Sequence, residues 1–334
     1  MDTDSQVVVL LCWMIDPSDQ QRIRPLGPKE WSEIERKIAA STLEEPSALL
    51  GLSPLELSQR LEIELSYAER IAGLLDRTSK MEAQLDRLAE KGIGVLTRIS
   101  PDYPSRLLTS LKQAAPPVLF IAGKRSLLNA GGIAVVGSRN IDDNGRSFAE
   151  TIGRRCAAEG LTLISGGARG TDAIAMQSAV DSGGGAVGVL ADSLERTVRG
   201  PDLIDHLDAG KLALITPYSP SASFTVGAAM GRNKIIYGLA DYCVVVSSEA
   251  GKGGTWSGAT EALKGNFCPV FVRTGESVPQ GNRDLVKKGA LEISETELNE
   301  IEGFHEWMKR RTVVSESGPT STDSIAGAQA SLFD

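Results

Sequence analysis

Three short loops between residues 133 and 264, each bearing glycines and an arginine and each hung on a predicted strand, constrain the fold more than any other feature of the chain. They read IAVVGSRN (residues 133–140), LTLISGGARGTDAIA (161–175) and GAAMGRNKII (227–236). In the first two, an apolar run of the kind buried in a sheet stops at small residues, and a helix-compatible segment follows. An open α/β sheet builds an anion site in this way: strand carboxyl ends converge, and amides at helix N-termini point at a phosphate. Arg139, Arg169 and Arg232 add fixed positive charge on a planar fork that suits phosphate oxygens. Arg139 and Arg232 are expected at strand and helix ends, outside the core. Together the loops imply a groove for a phosphate-bearing ligand, either a nucleotide or a nucleic-acid backbone.

The surrounding pattern agrees. Strand candidates fall at residues 94–96, 118–121, 133–136, 161–164, 186–190, 212–215, 243–246 and 270–272, with helices at 145–159, 172–181 and 257–264 between them. Alternation at this spacing predicts an α/β domain with a mostly parallel, doubly wound sheet. Residues 1–92 lack strand alternation and read as helices at 7–15, 28–40, 53–61 and 66–91. In the last of these, Ile71, Leu74, Leu75, Met81, Leu85 and Leu88 recur at three- and four-residue spacing and make one apolar stripe. Ser53 and Pro54 look like an N-cap followed by proline at the first helical position. The expected organisation is a helical N-terminal domain (1–92), the α/β domain (93–291), an acidic helical extension (292–313) and a disordered Ser/Thr/Gly-rich tail (314–334).

The chain carries 35 basic and 43 acidic residues, a net charge of -8, which is the wrong overall sign for a protein living on nucleic acid. Its distribution is more telling: residues 1–100 have net charge -5, residues 101–290 have +3 and residues 291–334 have -6. The only positive segment holds the phosphate-like loops, and its bias is mild. Cys12, Cys156, Cys243 and Cys268 are too scattered for a metal knuckle and too few for a disulfide framework, so they read as free thiols. No carboxylate cluster has metal-ligand spacing. The apolar run at residues 7–15 is about half a membrane span. Asp2 and Asp4 replace the basic flank of a signal peptide, so a cytoplasmic location is expected.

Each loop offers named candidates. Gly137 lets the backbone approach a ligand, Ser138 can donate to a phosphate, and Arg139 follows them. Gly166, Gly167, Arg169 and Gly170 form the second loop. There Asp172 is either a plain N-cap or a ligand contact, and Arg169 binds phosphate or pairs with Asp172. The third loop packs Arg232, Asn233 and Lys234 before an apolar face of Ile235, Ile236 and Leu239. A fourth, with Gly253, Gly254, Thr255, Ser257 and Gly258, precedes a helix bearing Glu261, and its amides would face an anion. Trp256 reads equally as a base-stacking platform and as a core aromatic. The histidines, His206 and His305, lie outside every glycine loop, so a histidine base at this site is not expected.

In order along the chain, PDYPSRL, GSRN, SGGARGTDA, GRNKIIYGLAD and GNRDLVKKGA resemble the DprA/Smf family of DNA-processing proteins. The likeness runs from about Tyr103 to Ala290. It implies an extended Rossmann-like domain that binds single-stranded DNA without turnover and helps load a RecA-type recombinase, with no cofactor and with self-association. Under this reading Arg139, Arg169, Arg232 and Lys234 hold phosphates, and Gly137, Ser138, Gly166, Gly167 and the 253–258 backbone line the path. Residues 94–290 are then expected to bind DNA as well as the whole chain. Two rivals stay open. One is an N-glycosidic nucleotide hydrolase resembling the LOG-type phosphoribohydrolases, with Glu261 as the catalytic group. The other is a nucleotide-sensing module of a defence system. Separately, the terminal QASLF resembles the short peptide that docks on the polymerase sliding clamp, through Gln329, Leu332 and Phe333.

Overall fold

The computed structural model describes residues 1–15 and 23–316. The chain opens with five helices, α1 (Thr3–Cys12), α2 (Pro28–Ala40), α3 (Pro54–Leu61), α4 (Leu65–Leu75) and α5 (Thr78–Ala89). The α/β part follows as β1 (Ile93–Thr97), α6 (Ser105–Leu111), β2 (Val118–Gly123), β3 (Ile133–Gly137), α7 (Asp143–Ala158), β4 (Leu163–Ser165), α8 (Thr171–Asp181) and β5 (Ala186–Val189). Then come α9 (Leu194–Thr197), α10 (Pro201–Asp208), β6 (Leu212–Thr216), α11 (Val226–Leu239), β7 (Tyr242–Ser247), α12 (Gly253–Gly265), β8 (Val270–Thr274) and α13 (Gln280–Lys287). The described chain finishes with β9 (Leu291–Ser294), α14 (Glu295–Glu300) and α15 (Phe304–Glu316).

Among the described residues, nine strands form one sheet in the order β1-β2-β6-β5-β4-β3-β7-β8-β9. From β6 to β9 all neighbours are parallel, while β1 and β2 join antiparallel at one end. This is the doubly wound, Rossmann-like α/β fold. The parallel strands are buried on both faces, which is why they read as short continuous apolar runs rather than alternating ones. One face is covered by α7 and α8, the other by α6, α11, α12 and α13. Strand order reverses between β3 and β7. A crevice therefore opens at their carboxyl ends, where an open α/β sheet takes its ligand.

The eight expected strands are all present, and β9 is a ninth. It is an edge strand carrying Glu292 and burying only Ile293 fully, so it has no apolar run to announce it. The helix expected at 66–91 is broken into α4 and α5. At the break, the Arg77 guanidinium turns inward and donates to the carbonyls of Leu74 and Trp13. Ile71, Leu74 and Met81 of the expected stripe are all buried.

The N-terminal helices are continuous with the α/β core. Val7, Val8, Val9, Leu10 and Leu11 of α1 are buried on every side, against β1, β2 and the helices around them. The Trp13 ring meets Phe120 of β2 at 5.0 Å between centroids. At the other end, Phe304 and Met308 of α15 are buried, and the main chain of Phe304 donates to the Glu159 carboxylate on α7 at 2.7 Å. The QASLF residues Gln329, Leu332 and Phe333, like most of the expected tail, lie outside the described residues.

Candidate functional site

A cavity of about 520 Å³ sits in the crevice between β3 and β7. Its walls come from five places: Gly137, Ser138 and Arg139 at the end of β3, Ala168 and Asp172 after β4, Ser247 at the end of β7, the first turn of α12, and one side of α11. The 230–234 segment, expected as a loop, is helical. Thr225 caps α11 by accepting from the Ala228 amide at 3.0 Å, and the helix then runs unbroken through Arg232 and Lys234. Gly253 and Gly254 likewise belong to α12 rather than to a loop before it.

The α12 N-terminus is the strongest anion-attracting feature. Its N-cap position, Lys252, offers no side-chain cap, so the first-turn amides at Gly253, Gly254 and Thr255 face the cavity without a side-chain acceptor. The α12 end is fixed to α11 by Asn233, whose Nδ2 donates to the Gly254 carbonyl at 3.1 Å. Arg139 is exposed, and its guanidinium stacks over the Phe224 ring at 5.5 Å. Phe224, Val226 and Met230 are large apolar groups left 46%, 69% and 45% exposed at the mouth. The cavity thus joins a phosphate-attracting end to an apolar, aromatic rim. Glu249 also lines it, neutralised by Lys252 at 3.1 Å.

Arg232 corrects the expectation that it stands outside the core. It is 6% exposed and lies on the cavity floor. Its Nη1 donates to the Val189 carbonyl at 2.7 Å, while its Nε is buried without a partner. The charge beside it is Asp172, also buried. Asp172 is not the N-cap of α8, a place held by Gly170. Instead its carboxylate accepts from the Gly166 amide at 3.1 Å. Burial pushes the Asp172 carboxyl up to about 6, against the pull of the Arg232 guanidinium and of the Gly166 and Ala168 amides. Burial also lowers the Arg232 guanidinium from its ordinary value, with Asp172 opposing.

The second glycine loop serves the protein more than a ligand. A Cβ on Gly166 would collide with the Arg232 guanidinium, and one on Gly170 with the Arg139 backbone. Thr171 pins the first loop from below, its Oγ1 donating to the Ser138 carbonyl at 3.0 Å. Gly166, Gly167, Arg169 and Gly170 do not line the cavity, and Arg169 makes no pair with Asp172. Gly166 and Gly170 make room for Arg232 and Arg139, a task that sequence cannot separate from ligand binding.

Lys234 and Glu261 fall outside the cavity as well. They pair with each other at 3.0 Å on the surface between α11 and α12, both about 40% exposed. Glu261 is therefore not among the residues that line the crevice. Trp256 is half-buried against the core of its face, and Lys288 Nζ lies 5.6 Å from its ring centroid. Among the described residues, no group of three or more His, Cys, Asp or Glu side chains is arranged to hold a metal ion. Nor is any described helix long and apolar enough to cross a membrane. Phe224 and Lys252 were not among the sequence candidates. Phe224 sits in a Ser/Pro-rich stretch without periodicity, and only the start of α11 swings it to the mouth.

Residues 94–302 match the family described as DNA recombination-mediator protein A. Protein Smf of Synechocystis is 29% identical over 223 residues, covering 64% of this chain and 55% of its own length. Protein Smf of Escherichia coli is 28% identical over 250 residues, covering 72% and 64%. The chain thus spans somewhat more than half the length of these curated relatives. Among solved structures, DNA processing protein A of Streptococcus pneumoniae superposes with a TM-score of 0.56 at 22% identity, covering 83% of this chain and 99% of that one. DNA processing protein A of Helicobacter pylori, studied for its single-stranded DNA binding mode, gives a TM-score of 0.51 at 20% identity, covering 67% and 96%. These two likenesses bear on the fold, while the match over residues 94–302 covers most of the chain: it belongs to the DNA recombination-mediator protein A family.

Proposed function

We propose that the chain binds single-stranded DNA in the crevice between β3 and β7 and acts as a recombination mediator. The observation that carries this is the pairing, in one cavity, of uncapped α12 amides with an arginine stacked on an exposed aromatic ring. Phosphates would sit at Gly253–Thr255 and Arg139, with Gly137, Ser138 and Ser257 lining the path. A base would lie against Phe224 and Met230. Arg232, Asn233, Gly166, Gly167 and Gly170 would support these contacts from below, and Arg169 and Lys234 would meet the strand outside the cavity. The finer assignments belong to the same proposal: loading of a RecA-type recombinase, self-association, a cytoplasmic setting, and docking of Gln329, Leu332 and Phe333 on the sliding clamp. Binding without turnover also belongs to it.

The test is Arg139→Ala. It should weaken every single strand about equally and flatten the salt dependence by roughly 0.7 in log–log slope, one phosphate's worth. Lysine at 139 should restore only part of the affinity, because a point charge lacks the planar fork. Unchanged binding in folded Arg139→Ala would remove the cavity from the DNA path. Tighter binding of a free mononucleotide than of a single strand would replace this reading with that of a nucleotide sensor.

A further inference from the structure

A second cluster of cations lies away from the cavity, where the N-terminal helices meet the α/β part. A cleft of about 460 Å³ runs between α2 and the turn after α6. Lys29, Arg36, Arg98 and Lys112 line it, against the acids Glu33 and Glu35. Such a concentration is anomalous in a stretch of chain whose first 100 residues have net charge -5. Among the described residues, Lys29, Arg36 and Lys112 are exposed and make neither an ion pair nor a side-chain hydrogen bond. Arg98 is anchored, donating to Ser32 Oγ at 2.5 Å and lying 3.7 Å from Glu35, but its Nε is buried with no partner. Lys112 is held at φ 51°, ψ -121°, a conformation that L side chains rarely adopt.

An apolar trough of about 270 Å³ lies beside the cleft at Gly27, Pro28, Leu111 and Ala114, and reaches α11 at Gly231 and Lys234. The cavity occupies the other flank of the same helix, at Met230 and Asn233. The ridge between the two flanks carries the exposed Gly227, while the Tyr218 hydroxyl stands against Gly231. A Cβ on Gly227 would meet nothing, so the ridge is low there and open to a crossing chain. Lys234 stands beside that crossing.

We propose that the cleft between α2 and α6 is a second phosphodiester site, which takes the strand after it leaves the β3–β7 cavity and crosses α11 at Gly227. This rests on the reading of the cavity as a single-strand site, and extends it to the N-terminal helices. The ligand chemistry is a run of phosphodiesters with no base readout, since the cleft offers cations and no exposed aromatic ring. Lys29, Arg36 and Lys112 contact phosphates, and Arg98 positions Ser32 and Glu35 beneath them.

The experiment compares oligodeoxynucleotides of about 6 and about 30 nucleotides on the full chain, and on a Lys29→Gln, Arg36→Gln, Lys112→Gln variant. The triple variant should bind the long strand about tenfold more weakly at moderate salt, and its log–log salt slope should fall by about 2. The short strand, held by the cavity alone, should bind both proteins equally. Because all three side chains are exposed, the unfolding midpoint should not move, and that is measured alongside. Long-strand affinity and slope equal to those of the parent, with the short strand still bound, would overturn the second site and leave the cavity standing. Equal weakening of both strands would overturn it too, by making the cleft part of one compact site. If the parent bound neither strand, the cavity reading itself would fall. Inorganic phosphate and a mononucleotide serve as the remaining probes, and saturation of the cleft by either at low concentration would identify a free anion site in place of a strand path.

Discussion

Replacing Arg232 with alanine should damage the protein as a fold before it damages it as a binder. Three things are lost together: the donation to the Val189 carbonyl, the counter-charge of a buried carboxylate, and the filling of the space that Gly166 leaves. Leaving a buried carboxylate without the charge that faces it costs about 3–5 kcal/mol. In a chain of this size, that lowers the melting temperature by roughly 5 °C. The loss should depend on pH, with a definite sign. In the parent, the folded Asp172 carboxyl titrates at about 6 against an ordinary value of 3.8. The native state therefore binds the extra proton between those values, and this group's contribution to stability falls as pH rises across them. Without Arg232, nothing offsets the burial, so the folded value climbs further and the fall continues to higher pH. The cost of Arg232→Ala should be larger at about pH 8 than at about pH 5. Urea unfolding followed by tryptophan fluorescence measures both, with Arg139→Ala as the exposed control expected to stay within about 0.5 kcal/mol. A cost below about 1 kcal/mol, or one equal at the two pH values, would show that the Arg232 charge does not act on the buried Asp172 carboxyl.

Gly166→Ala should destabilise by about 2 kcal/mol or more, because its Cβ would run into the Arg232 guanidinium and the Asp172 carboxylate, and an Arg232→Ala background should relieve only part of that cost. Deleting residues 1–92 should leave 94–290 poorly folded, since Phe120 and the β1–β2 face lose the cover of Trp13 and α1; a sharp unfolding transition in the truncated chain would contradict this. Burial pushes the Cys156 and Cys268 thiols up to about 12 and Cys243 well above its ordinary value. Iodoacetamide at about pH 8 should therefore leave these three unmodified in the native protein and label them only after denaturation, as mass spectrometry of the peptides would show.

Much of this was legible because a parallel sheet writes itself plainly. Runs such as IAVV and YCVVV are apolar on both faces, and each stops at the glycine or serine that ends the strand. The first loop and the α12 amides could be read for the same reason, since glycine and serine at a strand-to-helix turn have few other uses. Arg232 could not be placed. Its burial depends on a missing side chain at Gly166 and a carboxylate at Asp172, both far away in sequence, so a polar GRNK string looks like a surface loop. Glu261 was plausible by composition, but its helix points it at Lys234 rather than at the crevice. β9 escaped because an edge strand needs little apolar content. The continuity of α1 with β2 escaped because a helix buried all round looks, in sequence, like a helix that is merely hydrophobic.

That continuity carries a cost during synthesis. The apolar stretch of α1 leaves the ribosome before β2, yet the surface that shelters it is completed by that strand, roughly 100 residues later. At about 5–20 residues per second, the helix waits on the order of 5–20 s without its partner. Throughout that interval its valines and leucines are free to associate with other nascent chains. The protein should therefore depend on a holding chaperone early in translation, and slower elongation through residues 13–120 should lower its soluble yield even though the finished fold is unchanged.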